Sequence, residues 1–211
     1  MEEPFDDDDD VEEEVEGKEE EEEGEDGEED EKIQLVVLPD ADHPLVDAVV
    51  GMEVDVIDQH FIERNEDMLV MAWASPDHVA LAVMIHTLPI GFAMVSVDRQ
   101  RGDAWIHSFM IDRLFQGQGW GRRAFRTLLE WIRREHPSVA IVELASQNPI
   151  ALSLYRSIGF VEVHTARAVE YFAKCGETLM SITIYPPPSN LGEPLLELSD
   201  PVQVQQTNPS T

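Results

Sequence analysis

The chain has 211 residues, 44 of them acidic against 14 Lys and Arg, for a formal net charge of −30. That sign and magnitude argue against direct nucleic-acid binding. A single cysteine, Cys175, excludes an internal disulfide framework and suits a reducing compartment, the cytoplasm or the nucleus.

The charge is unevenly placed. Residues 2–31 hold 22 of the acids and one lysine, Lys18, so they carry −21 and leave −9 for the rest. A like-charge run with so few apolar residues cannot bury enough surface to offset ordering entropy, so residues 1–32 are expected to be a disordered tail. Ile33–Leu38 is apolar and β-branched, a predicted strand. Residues 44–52 and 56–74 look helical, the second with Val56, His60, Ile62, Leu69 and Met71 at roughly helical spacing. Ala80–Thr87 and Ile90–Val97 read as a hairpin with Pro89 between the strands, followed by a charged turn, Asp98–Asp103, and a strand, Trp105–Ile111. A helix is predicted from Gly119 to Glu135, with Phe125, Leu128, Leu129 and Ile132 on its buried face and Pro137 ending it. Val139–Leu144 is a strand. Asn148-Pro149 opens the next helix as cap and first residue, and Gly159 closes it. Phe160–Glu170 and Thr178–Tyr185 are two further predicted strands. Residues 186–211, rich in Pro, Ser and Gln, are expected to form a second loose tail. The body, residues 33–185, is one domain with an α/β arrangement on a mixed sheet. No uninterrupted apolar run is long enough to cross a bilayer.

The most informative stretch is Gln116-Gly-Gln-Gly119-Trp-Gly121-Arg122, between a predicted strand and a predicted helix. Backbone amides in such a turn, backed by a helix N-terminus, suit a phosphate-type anion. A P-loop would need Lys-Ser or Lys-Thr after its last glycine, and neither is present. A dinucleotide fingerprint would need a third glycine where Arg122 stands. Glu143 imitates its ribose-binding acid, but the turn follows an antiparallel lead-in rather than the first strand of the unit. An ordinary tight turn eased by glycines is the plain alternative.

The Gln116-x-x-Gly119-x-Gly121-Arg122 turn resembles the acyl-CoA pyrophosphate motif of the GCN5-related N-acetyltransferases (GNAT). The segment Asn148-Pro-Ile-Ala151-Leu-Ser-Leu154-Tyr155-Arg-Ser-Ile-Gly159-Phe160 resembles the second half of that family's signature. The likeness covers roughly residues 33–185. It implies a mixed, mostly antiparallel GNAT-type sheet flanked by helices, with acetyl-CoA as co-substrate and no metal. The implied cofactor residues are Phe109, Met110, Ile111, Gln116, Gly117, Gln118, Gly119, Trp120, Gly121, Arg122, Asn148 and Ala151. Residues 91–94, 109–112 and 58–72 are most similar to the bacterial diamine and polyamine acetyltransferases, which implies a polyamine such as spermidine as acceptor.

Acetyl transfer to an amine has three demands. The nucleophile must be neutral, and an amine of pKa ~10.4 is neutral about once in 2,500 molecules at pH 7, a handicap of roughly 4–5 kcal/mol. Charge on the thioester oxygen must be stabilised, which the resemblance assigns to the backbone of Phe109, Met110 and Ile111. The leaving thiolate needs a proton, and the resemblance assigns that to Tyr155; a ring buried for packing alone is the competing reading. Polyamine acetyltransferases carry an acid where this chain has His107. Strand alternation places His107 on the face of Trp105 and Phe109, as a candidate base. Asp112 and Glu143 are alternative bases. Arg123 and Arg126 are further candidates for CoA phosphates. Glu53, Asp55, Asp58, Glu63, Glu66 and Asp67 mark an acidic acceptor side, suited to a small cationic amine, and the acidic tail suits basic proteins. A protein lysine or N-terminal acceptor remains an alternative, as does a cation- or histone-binding module on a silent fold. The sequence leaves monomer and homodimer open.

Overall fold

A computed structural model describes residues 32–54 and 59–185. The two predicted tails lie outside the described residues, as do Asp55 and Asp58. The apolar β-branched runs become strands: β1 (Ile33–Val37), β2 (His78–Ile85), β3 (Leu88–Asp98), β4 (Asp103–Ile111), β5 (Ile141–Ser146), β6 (Val161–Glu162) and β7 (Thr178–Thr183). They form one sheet in the order β1-β2-β3-β4-β5-β7-β6. Every neighbouring pair is antiparallel except β4 with β5. The mixed, mostly antiparallel sheet expected from the sequence is therefore present.

Helices cover both faces. α3 (Trp120–Glu135) and α4 (Pro149–Ile158) bury Phe125, Leu128, Ile132 and Leu152 against Leu81, Ala93, Val95, Ala104 and Ile106. α1 (Val46–Val50) and α2 (Asn65–Trp73) cover the opposite face, where Val49 and Leu69 meet Ala80, Ala82, Phe92 and Met94. The period-two alternation along β2 and β3 divides these residues between the two layers. Phe125 lies where the layers' elements converge: it is fully buried and meets Phe109 edge-on, ring centroids 4.8 Å apart.

Four predicted elements change. The helix expected over 56–74 is a 3-10 turn, Gln59–Phe61, followed by α2 from Asn65, with Arg64 extended between them (ψ 137°). Asn65 is buried and its side-chain amide donates to the Val49 carbonyl at 2.8 Å, so tertiary contact sets where the helix begins. The hairpin reverses at His86-Thr87, His86 taking a left-handed φ of 53°, while Pro89 sits inside β3 next to a register irregularity at Val83/Met84. Proline lacks an N–H and is tolerated in strands at such irregularities. The strand expected at 139–144 begins two residues later, at Ile141. Residues 160–170 do not form a long strand: β6 is two residues, and α5 (Ala166–Cys175) follows. Thr165 caps α5 by accepting from the Ala168 amide, and Gly176 ends it at φ 74°. Both are ordinary helix signals.

Candidate functional site

β4 is treated differently by its two neighbours. It pairs with β3 from Asp103 to Ile111, but with β5 only over Asp103–Ile106 against Ile141–Leu144. Beyond Ile106 and Leu144 that ladder stops, and a cleft of about 560 Å³ lies between the strands. The Asp112 amide donates to Ile90 on the β3 side, at 2.8 Å, and the Ile111 carbonyl accepts from the Gln116 side chain, at 2.9 Å, on the other. Strand alternation therefore turns the amides of Phe109 and Ile111 toward the cleft.

At one end of the cleft is the glycine turn. Asp112 accepts from the Leu114 amide at 2.9 Å and starts a 3-10 turn, Arg113–Phe115; Gly117 (φ 74°) and Gly119 (φ 85°) then take conformations that side chains strain. A Cβ at either glycine would meet nothing within 4 Å, so here glycine serves backbone geometry and access rather than packing. Among the described residues, the backbone amides of residues 117–122 have no hydrogen-bond acceptor, and no side chain caps α3. These donors and the helix N-terminus form an anion cradle. Gln116, Gly117 and Gly121 line the cleft itself; Gln118, Gly119, Trp120 and Arg122 belong to the turn but not to the cleft wall. Arg122 and Arg126 are exposed, and the Arg123 guanidinium lies over the Trp120 ring, 4.6 Å from its centroid.

The facing wall comes from α4. Asn148 caps it, accepting from the amides of Ile150 (2.9 Å) and Ala151 (3.4 Å), and both Asn148 and Ala151 line the cleft beside Phe109, Met110 and Ile111. Tyr155 also lines it, its ring buried against Phe125 at 5.0 Å. Burial pushes the Tyr155 phenol up to about 12, so it keeps its proton at every physiological pH.

His107 lines the cleft and shares a face with Trp105, as alternation predicts, but not with Phe109. Val95 pairs with Ile106 and Met94 with Ser108, so His107 is the unpaired residue of a β-bulge. The extra residue reverses the alternation. Phe109 packs with Phe125 on the α3 side, while His107 stays with Trp105, ring centroids 6.4 Å apart. His107 Nε2 is 2.7 Å from Ser96 Oγ, and the His78 ring is 5.2 Å away. Although His107 is exposed to solvent, partial burial of the ring and then the neighbouring His78 lower its pKa to about 4. The imidazole is neutral at pH 7.

The alternative bases do not reach the cleft wall. Asp112 accepts from the amides of Leu114 and Glu53 and so ties the end of β4 to the segment after α1. Glu143 sits on β5 opposite Trp105 and Ser181. Of the expected acidic side, Glu63 lines the cleft, Glu53 pairs with Arg113 at 3.2 Å, and Glu66 pairs with Arg64. The lining residues that were not anticipated include Ser108, whose buried Oγ has no hydrogen-bond partner among the described residues, and Glu177, which accepts from the Tyr171 hydroxyl at 3.0 Å. Glu177 was findable only by recognising α5, whose Gly176 cap delivers it. No metal-holding group of His, Cys, Asp or Glu occurs among the described residues. No helix of the described residues is long and apolar enough to cross a membrane.

Residues 52–160, just over half of the chain, match the acetyltransferase (GNAT) family. A stretch of 62 residues, 29% of this chain, is 40% identical to the N-alpha-acetyltransferase RimI of Mycobacterium tuberculosis and covers 37% of it. Another of 78 residues, covering 34% of this chain and 51% of the relative, is 30% identical to a probable spermine N(1)-acetyltransferase of Bacillus subtilis subsp. natto. The chain thus matches between about a third and half the length of these relatives. Among solved structures, the ribosomal-protein-S18-alanine N-acetyltransferase of Escherichia coli superposes with a TM-score of 0.55 at 19% identity, over 76% of this chain and 99% of that one. A chimera of spermidine N-acetyltransferase SpeG from Vibrio cholerae and hSSAT gives 0.54 at 18% identity, over 72% and 94%. At such identities these structures speak for the fold.

Proposed function

The chain belongs to the acetyltransferase (GNAT) family, and we propose that it is an acetyl-CoA-dependent N-acetyltransferase acting on a primary amine, with a diamine or polyamine as favoured acceptor. One observation carries the reading: β4 and β5 part beside unpartnered amides at residues 117–122, with Tyr155 on the opposite wall. The residues suit acetyl-CoA, because the turn leaves bare donors and open space where a Cβ would stand at Gly117 and Gly119. The amides from Gly117 to Arg122, in the turn that Gln116 opens, would hold the pyrophosphate. The strand backbone at Phe109 and Ile111, with Asn148 and Ala151 opposite and Met110 lining the same cleft, would hold the pantetheine arm. When bound, the thioester supplies the activated acetyl group.

The chain's own residues then do three things. The cleft-facing amides of Phe109 and Ile111 donate to the oxygen on which charge develops, each such donor contributing roughly 3–4 kcal/mol. Tyr155, protonated up to about pH 12, donates to the departing sulfur. His107, neutral above its pKa of about 4, accepts from the attacking amine directly or through water. So weak a base contributes by orienting the nucleophile more than by storing its proton.

A second reading, acetylation of a protein N-terminus or lysine, draws on the likeness to RimI. Acetyl-CoA consumption measured with spermidine, putrescine and N-terminal peptides ranks the two. Turnover of peptides alone replaces the polyamine reading. Coenzyme A binding without turnover of any amine favours a silent, cation-binding fold. Tyr155→Phe should lower kcat about 10²-fold or more with little change in coenzyme affinity; an unchanged kcat removes Tyr155 from the chemistry.

A further inference from the structure

Several carboxylates of the body are held in ion pairs. Glu53, Glu66, Asp103 and Glu162 each pair with an arginine, Arg113, Arg64, Arg101 and Arg156 respectively. Glu177 has no cationic partner among the described residues, and its one side-chain hydrogen bond comes from a neutral phenol, Tyr171, at 3.0 Å. It is nonetheless held in place. Tyr171 lies on α5 with its ring 6.0 Å from that of Trp105, so the phenol is braced against β4, the strand that carries His107. Gly176, left-handed at φ 74°, turns the chain from α5 toward β7, and its Cβ position lies 3.8 Å from Oε1 of Gln147, which also lines the cleft. Glu177 is half-buried and faces the cleft, where Glu63 is the other acid. A fixed carboxylate with an acceptor-rich face and no cation of its own matches an ammonium.

Such a carboxylate is useful at only one end of an acceptor. The reacting nitrogen must lose its proton, and a nearby negative charge raises the pKa of an amine and opposes that loss. The non-reacting nitrogen of a diamine or polyamine stays charged throughout. We propose that Glu177, positioned by Tyr171, holds the distal ammonium of a di- or polyamine while its other nitrogen reacts near His107. The assignment rests on the amine-acetylating reading of the cleft and names its acceptor-binding residue.

The test uses the full chain and two readouts. Spermidine binding to coenzyme A-saturated protein is measured by calorimetry, and turnover is measured with spermidine and with propylamine, which has no second charge. Glu177→Gln should weaken spermidine binding and raise its KM about 10-fold or more, with kcat, the acetyl-CoA KM and the propylamine KM within twofold of wild type. Tyr171→Phe should give a smaller shift, about two- to fivefold, in the same direction. An equal rise in both amines' KM, or no rise in either, overturns the assignment. Absence of spermidine binding to the wild type also overturns it. Binding that depends on Glu177 without turnover supports the ammonium site and rejects the catalytic reading alone.

Discussion

The two edges of β4 make the sharpest contrast in the molecule. Toward β3 the strand is paired along its whole length, with one bulge at His107; toward β5 it is paired only from Asp103 to Ile106. On the first edge a buried backbone group finds its partner in the sheet, as the cost of leaving it unpaired requires. On the second, donors at Phe109 and Ile111 face a cleft that water or a ligand must satisfy. The closed edge ties the sheet together and the open edge leaves donors exposed to the cleft, from one strand of nine residues. The bulge is where the two meet, since it alone turns His107 away from Phe109.

Substitutions at each edge should separate these roles. The largest effect is expected at Phe125, fully buried where Phe109, Tyr155 and Phe160 meet. Phe125→Ala should cost about 3–5 kcal/mol in denaturant unfolding and blunt both edges together. Gly91→Ala attacks the closed edge: its Cβ would stand 2.5 Å from the Met110 carbonyl oxygen and 2.9 Å from Ile111 Cδ1. A loss of about 1–3 kcal/mol is expected, and a wild-type midpoint would show that the β3–β4 contact is softer than its geometry suggests. Gly119→Ala attacks the open side, where space is free but φ is 85°. It should cost roughly 1–2 kcal/mol in stability and weaken coenzyme A binding, measured by calorimetry on the same preparation.

The last effect concerns pH. A histidine whose folded pKa is about 4 against 6.5 unfolded takes up its proton more readily when unfolded. Its contribution to stability is therefore complete above about pH 6.5 and is lost as the pH falls toward 4. His107→Gln should flatten the stability profile across that window, and an imidazole titration followed by NMR should have its midpoint near 4. A midpoint near 6.5 would mean that burial and the neighbouring His78 leave the ring unperturbed.

Much of the fold was legible because local rules and tertiary packing agree there. The Asn148-Pro149 start, the Gly159 stop and the amphipathic run from Trp120 each satisfy backbone groups within a few residues, so sequence alone locates them. Where local signals competed, the reading erred. Residues 166–175 carry a Thr165 cap and a Gly176 stop, yet the first five of them fall within the run 160–170 that reads as a strand. The 56–74 segment failed for a different reason, since Asn65 reaches sixteen residues back to Val49, a contact no local window contains.

The sequence by itself determined the glycine turn, the capped helices and the order of strands that bring them together, because turn conformation and hydrogen-bond capping are decided by neighbouring residues. Only the tertiary structure decided where β4 and β5 part, that His107 and Phe109 take different faces, and that Glu177 lines the cleft. Each of these depends on pairing between strands distant in sequence, and a one-residue bulge is enough to reverse the side to which a residue points.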